Sequence, residues 1–76
     1  MAARDYEDYP LVVGDRIIVK YTIEVDENNG VKAGDVAKVV YVDLDHDVWC
    51  FNPNWKLGNV ELGGNFMRSD QIGRLK

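Results

Sequence analysis

Apolar residues in this sequence arrive in short β-branched runs, and each run is closed by a turn signal before a helical apolar face could develop. From Leu11 the chain reads Leu11-Val12-Val13, a Gly14-Asp15 turn, then Arg16 to Val25. Within that stretch Ile17, Val19, Tyr21, Ile23 and Val25 alternate with mainly polar neighbours, the period-two pattern of a strand with one buried face. Asp26-Glu27-Asn28-Asn29-Gly30 reads as a loop, because Asn and Gly tolerate positive φ and the acids favour water. Ala33-Gly34-Asp35 marks a second turn. Val36 to Val42 is β-branched, Asp43 to Asp47 interrupts it, and Val48-Trp49-Cys50-Phe51 resumes an extended pattern. The segment from Gly34 to Phe51 is therefore predicted to be a hairpin with an acidic tip.

Turn chemistry surrounds Trp55 at Asn52-Pro53-Asn54 and Leu57-Gly58-Asn59. After Val60-Glu61-Leu62, the Gly63-Gly64 pair predicts a bulge or sharp bend. Ser69-Asp70-Gln71 suits one short helical turn before a last extended run, Ile72 to Leu75. Residues 1–10 carry Asp5, Glu7 and Asp8 with two tyrosines, end at Pro10, and read as a flexible N-terminal arm. Residues 11–76 then form one domain, since a chain of 76 residues buries only roughly 60% of its unfolded surface and has no room for a second core. Several short strands in a chain too short for a sandwich predict an all-β fold, a small five-stranded barrel whose closure removes exposed edges.

Composition narrows the function classes. The chain is 46% hydrophobic and 29% charged, as ordinary globular proteins are. Its net charge of −4 disfavours general phosphate binding, although Arg68, Arg74 and Lys76 leave a weak basic bias near the C-terminus. A lone cysteine, Cys50, cannot form an internal disulfide, and with a single histidine it cannot complete a Cys/His zinc site. A reducing, cytoplasmic setting is expected, with neither an apolar leader after Met1-Ala2-Ala3-Arg4-Asp5 nor a membrane span.

Asp43, Asp45 and Asp47 have the spacing that begins a calcium loop, but Val48 stands where the loop needs Gly and Asn54 where it needs a bidentate Glu. A solvated acidic tip is the expectation, with His46 making local contacts only. Cys50 has no neighbouring cation or second histidine to activate it and is expected as a small buried hydrophobe. No nucleophile triad, phosphate loop or dinucleotide glycine pattern occurs, so no enzyme, no cofactor and no metal are expected. Trp49 and Phe51 must share one face of their strand while Val48 and Cys50 take the other. Phe51 and Phe66 are assigned to the core. Trp55, between turn residues, is assigned to the surface as the first contact for a partner.

The order of these landmarks resembles the Src-homology-3 family. Gly34-Asp35-Val36-Ala37-Lys38-Val39-Val40 is similar to the Gly-Asp and β-branched run opening that family's second strand. Trp49 follows at the distance of the binding-groove tryptophan, and Gly64 to Leu75 is similar to the family's ending with its short 3₁₀ turn and last strand. The resemblance covers about residues 19 to 75 and implies a long loop at Asp26 to Lys32, with Tyr21 near the first strand's aromatic. It departs where Met67-Arg68 replaces the groove proline and Gln71 its tyrosine, so proline-rich ligands are expected to bind poorly. The same architecture resembles the KOW modules of ribosomal and transcription proteins.

The resulting expectation is a small non-catalytic protein-interaction module, an accessory or regulatory factor of phage type, binding a larger protein. The contact residues expected are Trp49, Trp55, Tyr21, Asp43, Asp45, Asp47, Met67 and Arg68. Two alternatives stand beside it. One is a KOW-type nucleic-acid barrel using Arg68, Arg74 and Lys76 with stacking on Trp49 or Trp55. The other is an acidic nucleic-acid mimic using Glu24, Asp26, Glu27 and the tip.

Overall fold

The computed structural model describes residues 3–43, 45 and 47–75, so the expectation for His46 lies outside the described residues. Among the described residues seven short strands form: β1 (Ala3–Arg4), β2 (Pro10–Leu11), β3 (Arg16–Val19), β4 (Val36–Val42), β5 (Val48–Phe51), β6 (Asn65–Met67) and β7 (Ile72–Arg74). One helix of five residues, α1 (Glu24–Asn28), lies between β3 and β4, and a 3₁₀ turn (Ser69–Gln71) precedes β7. The all-β expectation holds. β4 and β5 pair antiparallel as the expected hairpin.

β3 to β7 make one antiparallel sheet in the order β6-β5-β4-β3-β7, and β1 with β2 makes a separate two-stranded pair. The sheet is not a closed barrel, which corrects the sequence expectation. Its β7 edge is met instead by the N-terminal segment: Tyr6 N donates to Ile72 O at 2.8 Å, and Arg74 N donates to Asp5 Oδ2 at 2.8 Å. Capping an edge in this way satisfies it without closure. One face of the sheet supplies Ile17, Val19, Ala37, Val39, Val48, Cys50, Met67 and Ile72 to the core, and Ala3, Leu11, Val31 and Trp55 complete it.

Residues 3–10 depart from the flexible arm expected of residues 1–10. Ala3 is fully buried and Asp5 nearly so. The Asp5 carboxylate accepts hydrogen bonds from the backbone N–H of Glu7, Tyr9 and Arg74, so its charge is held inside by three donors. The Tyr6 ring lies on Gly73, where an added Cβ would sit 2.8 Å from Cε1. Only glycine leaves room for that ring.

The long alternating strand predicted to Val25 stops at Val19. Lys20 N already donates to Gln71 O, and the residues beyond find no partner strand. The chain instead turns into α1, where Asp26 Oδ2 accepts from Ile23 N at 3.1 Å and Glu24, Asp26 and Glu27 occupy the electropositive first turn. Ile23 and Val25 are consequently exposed. Gly34, with φ +94°, makes the turn into β4 and donates its N–H to Val19 O. No helix among the described residues is long and apolar enough to cross a membrane.

Burial opposes ionisation of Asp5, but its three N–H donors and the nearby Arg74 charge outweigh it and hold the pKa below the ordinary 3.8. A folded-state pKa below the unfolded one means that this carboxylate stabilises the fold above pH 3.8, and that the contribution is lost as pH falls through the folded value. Asp5→Asn should cost about 1–3 kcal/mol at neutral pH. Urea unfolding over a pH series should show the gap from wild type closing in acid; a gap independent of pH would contradict this role for the charge.

Candidate functional site

Val48 and Cys50 are fully buried, so the pleat of β5 sends Trp49 and Phe51 to the opposite, outer face. Strict alternation along β4 would put Tyr41 inside with Ala37 and Val39. The register shifts between Val39 and Tyr41, because these two pair with consecutive β5 residues, Cys50 and Trp49, and leave Val40 as the extra residue. The shift reverses the phase and brings Tyr41 outward, opposite Trp49. On the other side Trp49 pairs with Phe66 of β6.

The three rings form a continuous row. Tyr41 and Trp49 meet edge to face with centroids 5.5 Å apart, and Trp49 and Phe66 do so at 5.4 Å. Both spacings are in the favourable range for aromatic pairs. Tyr41 is 40% exposed and Phe66 44%, with Trp49 half-buried between them. Phe51, 42% exposed, extends the face beside Lys38, whose other neighbour across the ladder is Arg16. A cleft of about 310 Å³ runs between this row and α1, lined by Val25, Asn29, Trp49, Gly58, Asn59 and Phe66 among others.

Phe51 and Phe66 are thus surface residues, not the core residues the sequence suggested. Trp55 is the converse case. It is only 7% exposed, and its Nε1 donates to Asp35 Oδ2 at 2.8 Å, which lets the indole enter the core with its polar atom satisfied. Met67 is fully buried. Both leave the expected contact set for this reason. Tyr41 and Phe66 instead stand beside Trp49 on the exposed face; the cross-strand register that brings them there has no local signature.

The remaining candidates lie elsewhere on the surface. The Tyr21 hydroxyl donates to the Asp70 carboxylate, which raises the Tyr21 pKa, and Arg68 pairs with Asp70 at 3.5 Å. Beneath them Gln71 is buried: its Nε2 donates to Asp26 Oδ2 at 2.7 Å and to Tyr21 O at 3.2 Å, while its Oε1 accepts from Arg68 N. Gln71 therefore ties the 3₁₀ turn to α1. At the hairpin tip Asp43 Oδ1 accepts from Asp45 N and Asp47 N, which shapes the turn, and Asp45 is exposed. Among the described residues no three of His, Cys, Asp and Glu are grouped to hold a metal ion. Burial pushes the Cys50 thiol up to about 12, so it is protonated and unreactive at neutral pH. Comparison with protein-family models, with curated proteins and with solved structures found no match.

Two outcomes follow from the burial pattern. Trp55→Ala should destabilise the fold by about 3–5 kcal/mol, as large-to-small core changes do, measured by urea unfolding. Cys50 should react with a thiol reagent only as fast as the protein opens, so labelling should accelerate with urea; rapid labelling of the native protein would place the thiol at the surface.

Proposed function

We propose that this chain is a non-catalytic interaction module of the cytoplasm that docks on a larger protein through the outer face of β4, β5 and β6. The observation that carries this reading is the row Tyr41–Trp49–Phe66, aligned edge to face and left open to solvent. Exposed, contiguous aromatics are characteristic of interaction surfaces, and Trp and Tyr dominate interface hot spots. Fixed rings also lose little freedom on binding, since Trp49 is held from both sides. The strand order β6-β5-β4-β3-β7 and the 3₁₀ turn before the last strand support kinship with the Src-homology-3 topology, in an open form. Buried Met67 and Gln71 offer no ridges for a polyproline helix, which favours a folded partner over a proline-rich peptide.

Capture of the partner from source-cell lysate, its identification and calorimetry on the purified pair test the reading. Trp49→Ala should weaken the complex by about 2 kcal/mol or more, and Phe66→Ser should act in the same direction. Asp45→Ala should mainly slow association and reduce its salt dependence. A partner whose affinity ignores Tyr41, Trp49 and Phe66 would overturn the assignment of this face. If the ligand were instead single-stranded nucleic acid stacking on the rings, an oligothymidylate would quench Trp49 at low salt and be released steeply as salt rises.

A further inference from the structure

The outer face carries charge as well as rings, and the charge is arranged with a polarity. Along the chain, Phe51 of β5 lies two residues to one side of Trp49, and Asp47, just before β5, two residues to the other. Each such step is about 7 Å along a strand. The row at the Phe51 end is Arg16–Lys38–Phe51, read across β3, β4 and β5. At the opposite end the ladder runs one pair beyond the strands, with Asp43 N donating to Asp47 O at 3.1 Å, and the tip carries Asp43, Asp45 and Asp47. Tyr41–Trp49–Phe66 is the middle row. Cations, rings and carboxylates therefore follow one another along a single face, with the aromatic row at the centre.

Among the described residues, the charges at both ends have no ion-pair partner within the chain. Among the described residues neither Arg16 nor Lys38 has a carboxylate within ion-pair distance, and Asp15, next to Arg16 in the chain, is engaged by Arg74 at 3.4 Å. Asp43 spends one oxygen on the backbone of the tip, whereas Asp45 and Asp47 have no side-chain hydrogen bond among the described residues.

A face with this order is complementary to itself. A two-fold axis lying between two opposed outer faces, parallel to the aromatic row, lays the Arg16–Lys38 end of one copy over the acidic tip of the other and stacks the two aromatic rows together. Closed two-fold interfaces require this self-complementarity, and they are the commonest in soluble assemblies. We infer that a second copy of this chain occupies the outer face, giving a two-fold dimer that buries Tyr41, Trp49 and Phe66. The inference rests on the reading of this face as an interaction surface and adds that its resting occupant is the protein itself, which a larger partner displaces.

Reciprocal charge variants test it. In a chain carrying Arg16→Glu with Lys38→Glu, both ends of the face are acidic. In one carrying Asp45→Lys with Asp47→Lys, both ends are basic. All four positions lie at the surface or partly exposed, and circular dichroism confirms that each variant is folded before use. Sedimentation equilibrium of the wild type up to about 1 mM chain should show a concentration-dependent rise toward the mass of two chains, weakened by added salt. Each variant alone should associate at least about 30-fold more weakly, and an equimolar mixture should form a heterodimer near wild-type strength. Trp49→Ala should weaken the wild-type dimer by a similar factor. A wild type monomeric throughout that range, or variants whose mixture associates no better than each alone, would overturn the dimer. Either result leaves the reading of a larger partner intact, because that reading is decided by the calorimetry with Trp49→Ala.

Discussion

Val40 sits between Val39 and Tyr41, which pair with consecutive residues of β5, and the extra residue reverses which side of β4 faces the core. Before it, Ala37 and Val39 point inward; after it, Tyr41 points outward. Without the shift the tyrosine would be driven into a space already filled by Val39, Val48 and Cys50, all fully buried. Overpacking a small core costs about 1–3 kcal/mol, and a tyrosine there would also need a partner for its hydroxyl. The bulge thus protects the core. It also completes the aromatic row, since Trp49 has Phe66 on one side by simple pairing but gains Tyr41 only through the change of phase.

The apolar core reaches the sheet more fully than the loops, and buried polar side chains hold the loops in place. Asp5 fixes the N-terminal hairpin to β7, Gln71 with Asp26 fixes α1 to the 3₁₀ turn, and Asn65 fixes the chain after Trp55 by accepting from Gly58 N and donating to Lys56 O. Each of these side chains is nearly inaccessible to water. A satisfied hydrogen bond adds only about 1 kcal/mol, but a buried polar group left unpaired costs about 1–3 kcal/mol. The connections therefore act less as sources of stability than as a choice of conformation. Any loop arrangement that separated the pairs would strand a carboxylate or amide in the interior.

What was legible in the sequence was local. The hairpin of β4 and β5 and the turn at Ser69–Gln71 follow from β-branched runs and turn residues within a few positions of one another. What was illegible depended on distant partners. The alternation from Ile17 to Val25 is as regular after Val19 as before it, yet only its first part has strands on both sides. Trp55 looks exposed among turn residues, but Asp35, twenty positions away, receives its indole N–H and makes burial affordable in energy. The acidic start of the chain looks solvated, whereas Asp5 meets a donor on Arg74 at the far end. For the candidate site, Trp49 was readable from its own strand; Tyr41 and Phe66 required the register across three.

The two exposed clusters also differ in what they leave unsatisfied. Around the 3₁₀ turn, Tyr21, Asp70 and Arg68 answer one another, so part of their donor and acceptor capacity is already used within the chain. Exposed ion pairs of this kind contribute about 0–1 kcal/mol and offer a newcomer little more. The aromatic row is matched only at its ring edges, and the outer surfaces of Tyr41, Phe66 and Phe51 remain against water. Covering apolar area is worth about 25 cal/mol per Å², and the rings are already fixed when the cover arrives. A surface that is rigid, apolar and flanked by charges of opposite sign without ion-pair partners among the described residues gains more from association than one whose groups are paired within the chain. That difference, set by strand register and not by composition, is the reason the proposed binding face is placed on β4, β5 and β6 and not around the 3₁₀ turn.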